Sequence, residues 1–149
     1  MEINEVELLL IEDNPYEAEL AIRSLKKHNL GNKLYHIDDG AEALDYIFSE
    51  IGVDGPDQFR FNPKVILLDL KLPKVSGLEI LKKLKEHERT NIIPVVVLTS
   101  SSEESDIMEC YKQGANSYIV KPVNFENFSN AMKSLSQYWL DLNKRPVKL

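Results

Sequence analysis

Short apolar runs alternate along the chain with longer amphipathic stretches. The runs are Val6–Ile11, Lys33–Ile37, Val65–Leu68, Val95–Leu98 and Ser117–Val120. Continuous Val, Ile and Leu read as strands covered on both faces, the pattern of a parallel sheet packed between helices. Between the runs, apolar positions recurring at steps of three and four predict helices at about 15–29, 40–49, 77–88, 103–113 and 124–142. Strands alternating with helices in this way predict an α/β fold, a doubly wound parallel (βα)5 sheet.

The helix starts are marked by a short polar acceptor three residues before a glutamate, the spacing at which side chain and backbone cap each other. Asn14 with Glu17, Asp39 with Glu42, Ser76 with Glu79 and Ser101 with Glu104 all fit. Pro15 sits where a first-turn proline costs no hydrogen bond. In the last helix Phe125, Phe128, Met132, Leu135, Trp139 and Leu142 form one stripe facing the sheet, and Tyr138 and Leu140 fall off it. That apolar surplus offers a partner surface, including one for a homodimer through the last helix. Two segments stand outside the alternation. Glu50–Pro63, with Gly52, Gly55, Pro56 and Pro63, reads as a surface excursion, and Asn143–Leu149 as a frayed end. The whole, 1–149, is expected to form one domain with its core at about 5–142.

Composition narrows the function. A net charge of −6 disfavours a broad basic face for nucleic acid. The single Cys110 excludes an internal disulfide framework and reads as an ordinary helix residue. No apolar run approaches a membrane span, and the acidic start Met1–Glu7 lacks the order of a signal peptide, so no membrane association and a cytoplasmic location are expected.

In an open parallel sheet the carboxyl ends of the strands share one edge, where ligands bind. Glu12 and Asp13 follow the first strand, Asp69 the third, Thr99 and Ser100 the fourth, and Lys121 the fifth. Each alone is an ordinary loop or turn residue. Together they bring three carboxylates, a hydroxyl and an ammonium to one edge. Clustered carboxylates repel and call for a cation. Oxygen-only ligands suit Mg²⁺, with Asp13 and Asp69 as direct ligands and Glu12 acting through water. Lys121 supplies a second positive charge able to reach a phosphoryl oxygen, and Thr99 a hydroxyl that can donate to one. A carboxylate beside Mg²⁺ and a lysine is arranged to attack phosphorus. None of His28, His36 and His87 lies at this edge, so a histidine-based hydrolase is hard to build.

With these residues assembled, nearly the whole chain, roughly residues 5–142, resembles the receiver domains of two-component response regulators. The resemblance rests on Leu9-Leu10-Ile11-Glu12-Asp13-Asn14-Pro15, on Ile66-Leu67-Leu68-Asp69-Leu70-Lys71-Leu72-Pro73 with Ser76-Gly77, on Val97-Leu98-Thr99 and on Gly114–Pro122. It implies a flavodoxin-like fold of strand order 2-1-3-4-5 and phosphorylation of Asp69 by the phosphohistidine of a sensor histidine kinase. It assigns Mg²⁺ to Asp13, Asp69 and the backbone carbonyl of Lys71, with Glu12 in support. It makes Thr99 and Tyr118 the switch pair, coupling the site to the surface of the fourth helix, fifth strand and fifth helix, through which an unknown downstream target is controlled. It also implies a cis bond between Lys121 and Pro122.

The Glu50–Pro63 excursion and the Tyr138-Trp139-Leu140 ending are similar to stand-alone receivers paired with bacterial phytochrome, which implies a phytochrome-like kinase as partner. Ser100 departs from the smaller residue many receivers carry, and Lys71 and Ser101 occupy positions that tune phosphoryl lifetime in the family. Two other readings stand beside this one. A haloacid-dehalogenase-like phosphatase also forms an aspartyl phosphate, yet carries a second Asp where this chain has Lys71. A pseudo-receiver keeps the fold as a binding module without phosphorylation, and such modules usually lose part of the acidic set, which is whole here.

Overall fold

The computed structural model describes residues 6–29, 33–52, 62–122 and 124–146. The elements run β1 (Leu8–Ile11), α1 (Pro15–Lys27), β2 (Leu34–Ile37), α2 (Gly40–Gly52), β3 (Val65–Leu68), α3 (Gly77–Glu86), β4 (Val95–Thr99), α4 (Glu104–Lys112), β5 (Ser117–Val120) and α5 (Phe125–Ser136), followed by a π-helical stretch, Gln137–Leu142. The strands form one parallel sheet in the order β2-β1-β3-β4-β5. This is the flavodoxin-like architecture expected from the sequence, with element ends within a few residues. The excursion expected at Glu50–Pro63 begins later, because α2 continues to Gly52, and residues 53–61 lie outside the described set.

β1, β3 and β4 are buried along their whole length. Side chains alternate across a strand, and the core divides accordingly. Leu9, Ile11, Ile66, Leu68, Val95 and Val97 pack with Ala43, Ile47, Ile80, Leu81, Leu84 and Cys110 of α2, α3 and α4. Leu8, Leu10, Val65, Leu67, Val96 and Leu98 face Ala18, Ala21 and Leu25 of α1 and Phe128, Met132 and Leu135 of α5. Covering both faces is what gives the continuous Val/Ile/Leu runs their stability as strands.

The capping signals are largely realised. Asn14 Oδ1 accepts from the amides of Tyr16 and Glu17, Asp39 Oδ1 from that of Glu42 and Ser76 Oγ from that of Glu79. Ser101 does not cap α4. Its hydroxyl accepts from the amide of Glu103 and donates to Asp106 at 2.6 Å, and the helix begins at Glu104 behind a Glu103 that makes no side-chain cap bond. The Ser101 oxygen is taken by the amide of Glu103, two residues on and ahead of the helix, so it does not reach a first-turn amide.

At the amino edge of the sheet, Lys85 Nζ donates to the carbonyls of Asn91 and Ile93 and to Asn116 Oδ1, which also accepts the amide of Val95. Burial pushes the Lys85 ammonium down to about 8. Gly114, with φ of 101°, lies against its stem, where a Cβ would stand 2.9 Å from Lys85 Cγ.

The C-terminal region departs from expectation. Asn143 N donates to Tyr138 O, an i→i+5 bond of 2.7 Å, so the last turn is wider than an α-helix. Widening rotates later residues relative to an α-helical wheel. Leu140 is therefore buried at 7% exposure against Leu135 and Met132, whereas Leu142, placed on the stripe by α-periodicity, is 73% exposed. Phe125, at the stripe's other end, is also exposed. The described part of the tail is tied down rather than frayed: Arg145 Nη1 donates to Asn62 O at 2.6 Å, and Lys64 Nζ to Leu140 O at 3.1 Å.

The π register makes a direct prediction. Leu140→Ala should destabilise the protein in urea unfolding by about 2–4 kcal/mol, the cost of truncating a buried leucine. Leu142→Ala should fall within about 0.5 kcal/mol of wild type, as exposed positions do. An α-helical continuation would give the reverse order.

Candidate functional site

The carboxyl edge of the sheet is extended by one backbone bond beyond several strand ends. Glu12 N donates to Ile37 O at 3.0 Å, Asp69 N to Ile11 O at 3.0 Å and Lys121 N to Thr99 O at 2.7 Å. The ladders thus fix the backbones of Glu12, Asp69 and Lys121 before any side-chain contact is made. From there Lys121 Nζ reaches Glu12 Oε1 at 2.5 Å, Glu17 Oε2 at 2.6 Å and Asp69 Oδ2 at 3.2 Å. The lysine, Glu12 and Asp69 side chains are buried, and that of Glu17 is 35% exposed. Oxygens of the three carboxylates lie within 4.8 Å of one another.

One ammonium among three carboxylates leaves the cluster short of positive charge. Burial, reinforced by the charge of Asp69, pushes Glu12 up to about 8 despite its bond to Lys121. Burial acts against the Lys121 ammonium as well, but the hydrogen bonds it donates to Glu12 and Glu17 outweigh it and raise its pKa. The lysine stays charged. The cluster's deficit therefore falls on the carboxylates, and an all-oxygen donor set with surplus negative charge fits a hard divalent cation such as Mg²⁺.

The loop after β3 is held close to the site. Lys71 N points at Asp69 Oδ1, 3.4 Å away, and Gly77 N donates to Leu70 O at 2.9 Å. Only glycine fits at position 77, since a Cβ there would lie 2.1 Å from the Asp69 carbonyl oxygen. Lys74 takes φ of 68° in this turn, unusual for a non-glycine residue, and its ammonium bonds Asp39 Oδ2 at 3.0 Å.

The expected site residues distribute unevenly. Glu12, Asp69 and Lys121 are in contact. Thr99 ends β4 fully buried, and its hydroxyl has no hydrogen-bond partner among the described residues. Tyr118 is half-buried against the α4 side of the core, and its hydroxyl donates to Ser101 O at 2.9 Å. Asp13 is exposed beside the cluster and is not among the three grouped carboxylates. The Lys121–Pro122 peptide, expected to be cis, is trans, the isomer that X–Pro bonds favour. Lys121 reaches all three carboxylates from it.

Glu17 is the residue that sequence reasoning missed. The capping pattern assigned its side chain to the amide of Asn14, but Glu12 Oε2 takes that amide at 3.2 Å. Glu17, one turn into α1, is left free to turn toward Lys121. A glutamate five residues after Glu12 on the helix leaving the site was the available signal, and the capping pattern masked it.

Comparisons with known proteins identify the family. The response regulator receiver domain family matches residues 8–133. The probable methanogenesis regulatory protein FilR2 of Methanothrix harundinacea is 38% identical over 139 residues, covering 93% of this chain and 86% of FilR2. Response regulator Rcp1 of Synechocystis is 31% identical, covering 94% of this chain and 92% of Rcp1. A Mn²⁺-bound structure of Rcp1 superposes with a TM-score of 0.81 at 30% identity, over 94% of this chain and 98% of that one. The phosphorylated cyanobacterial phytochrome response regulator RcpA superposes with a TM-score of 0.83 at 31% identity, over 96% of this chain and 99% of that one. The chain belongs to the response regulator receiver domains of two-component systems.

Proposed function

We propose that the chain is a phosphorylation-dependent switch whose acceptor is Asp69. The observation that carries this reading is the buried contact of Asp69 Oδ2 with Lys121 Nζ at 3.2 Å, inside a cluster of surplus negative charge. The donor is the phosphohistidine of a sensor histidine kinase, phytochrome-like in view of RcpA. An Asp69 carboxylate oxygen attacks phosphorus and the N–P bond breaks. Its electron pair remains on the imidazole nitrogen, which takes a proton from solvent.

Such transfer needs positioning and charge neutralisation rather than a general base. Lys121 supplies one positive charge to the transferred oxygens. Asp13 and Asp69, with the Lys71 carbonyl and Glu12 in support, would hold Mg²⁺, which supplies the rest when bound. Rcp1 crystallised with Mn²⁺ supports a metal in this family. Lys71 stands where an acid–base Asp would be needed for a phosphatase, and the complete acidic set argues against a pseudo-receiver.

The unpartnered Thr99 hydroxyl is a ready donor to a phosphoryl oxygen, and movement of Thr99 would alter the space beside Tyr118. Hydrogen bonds to charged groups contribute about 1.5–3 kcal/mol each. Reversing a 1:99 equilibrium takes about 5.5 kcal/mol, so two or three new contacts suffice. The surface read by a target is that of α4, β5 and α5, where Met108, Tyr111, Val120 and Phe125 are exposed.

Incubation with acetyl phosphate and Mg²⁺ should add one phosphoryl group by mass spectrometry, and Asp69→Asn should add none. An unmodified wild-type mass, or modification of the Asn variant, would overturn the assignment. Charge balance gives a second expectation. Because the Glu12 pKa is raised from 4.5 to about 8 on folding, the folded state holds the extra proton, and the stability this confers is lost as pH rises. In metal-free buffer the melting temperature should therefore fall between pH 4.5 and 8, and Glu12→Gln should flatten that slope.

A further inference from the structure

We infer that Glu17 is a positioning residue that competes with the incoming phosphoryl group for Lys121 and thereby slows phosphoryl uptake. The inference rests on the assignment of Asp69 as acceptor and deepens it. An ammonium has three protons to donate. In this structure all three have acceptors, on Glu12, Glu17 and Asp69. A phosphoryl oxygen arriving at Asp69 can bond Lys121 only if one of these acceptors yields.

The three differ in their freedom to do so. Glu12 is 4% exposed in its side chain, and its second oxygen holds the amide of Asn14. Asp69 is 8% exposed and is itself the acceptor of the phosphoryl group. Glu17 is 35% exposed and its carboxylate has no other hydrogen bond or ion pair among the described residues, so water can replace Lys121 as its partner at little desolvation cost. It sits on the first turn of α1, whose start is capped by Asn14 through backbone amides. The carboxylate is therefore dispensable to the helix. Its bond to Lys121, at 2.6 Å, is nonetheless shorter than that of Asp69.

Two effects follow from the same carboxylate. It occupies the donor that the phosphoryl group needs, and it places a negative charge beside the path of an anionic donor. Both act before transfer: Glu17→Gln removes the charge but keeps an amide oxygen that can accept from Lys121, and Glu17→Ala removes both.

The test measures phosphorylation rate against acetyl phosphate concentration at saturating Mg²⁺ for wild type, Glu17→Gln and Glu17→Ala. Partly exposed ion pairs are worth up to about 1 kcal/mol, which converts to roughly fivefold in rate. Both variants should show a higher second-order rate constant, by about that factor in Glu17→Ala and by less in Glu17→Gln. The gain should appear as a lower half-saturating donor concentration, because Lys121 meets the phosphoryl group on binding. Melting temperatures near wild type would show that the helix is intact. A Glu17→Ala rate within twofold of wild type, or slower uptake in either variant, would overturn the role of Glu17 while leaving Asp69 as acceptor. A wild type that takes up no phosphoryl group would instead remove the underlying reading, and the inference with it.

Discussion

The structure turns on one buried ammonium. Lys121 Nζ is the only cation bonded to Glu12, Glu17 and Asp69 among the described residues, and it joins groups from β1, α1, β3 and β5 that are otherwise far apart in the chain. Taking these charges out of water costs several kcal/mol per ion, and a single pair seldom repays it. Here the cost is met by the rest of the fold. Backbone ladders that overrun the strands hold Glu12, Asp69 and Lys121 in place, and two covered sheet faces supply the apolar burial that stabilises those ladders. Without the lysine, three carboxylates with oxygens within 4.8 Å would face one another unopposed.

The imbalance is as informative as the contact. Were the site built for stability alone, one lysine would be matched by one carboxylate. Instead burial, reinforced by the charge of Asp69, pushes Glu12 up to about 8 despite its bond to Lys121, and an added positive charge would oppose that rise. An acidic cluster that is costly when empty of cations is one that binds them readily. On the reading proposed for Asp69, the same surplus would repel an anionic donor, so affinity for a cation and access for a phosphoryl group would be opposed demands on the same few atoms.

Most of this was legible in the sequence because it depends on periodicity and on strand ends. The Val65–Leu68 run fixes a doubly covered strand, and its parallel neighbours bring Glu12, Asp69, Thr99 and Lys121 to one edge whatever the details of the loops. What was not legible depended on competition between partners for one group. Asn14 and Glu17 have capping spacing, but the Asn14 amide is also in reach of Glu12, and nothing in the pattern says which carboxylate takes it. Ser101 and Glu104 share the same spacing, yet the Ser101 oxygen accepts the amide of Glu103, ahead of the helix. Leu140 reads as exposed on an α-helical wheel and is buried because the backbone widens at Gln137, a change of hydrogen-bond register that side-chain identity does not announce.

The failed cap at Ser101 bears on how the site reaches the surface. α1, α3 and α5 each begin with a side chain locked onto the first-turn amides, through Asn14, Ser76 and Asn124. α4 begins at Glu104 behind a Glu103 that makes no such bond. Its start is held instead by the chain between Thr99 and Glu104, where the Tyr118 hydroxyl bonds the Ser101 carbonyl and the Ser101 hydroxyl bonds Asp106. These are contacts of a tyrosine only half-buried and of a loop, weaker anchors than a cap within the helix. The loop starts at Thr99, whose buried hydroxyl has no hydrogen-bond partner among the described residues. In the proposed switch, a helix whose amino end is tethered through that loop is the element that a new bond at Thr99 would displace at least cost, and the absent cap would be part of the route from site to surface.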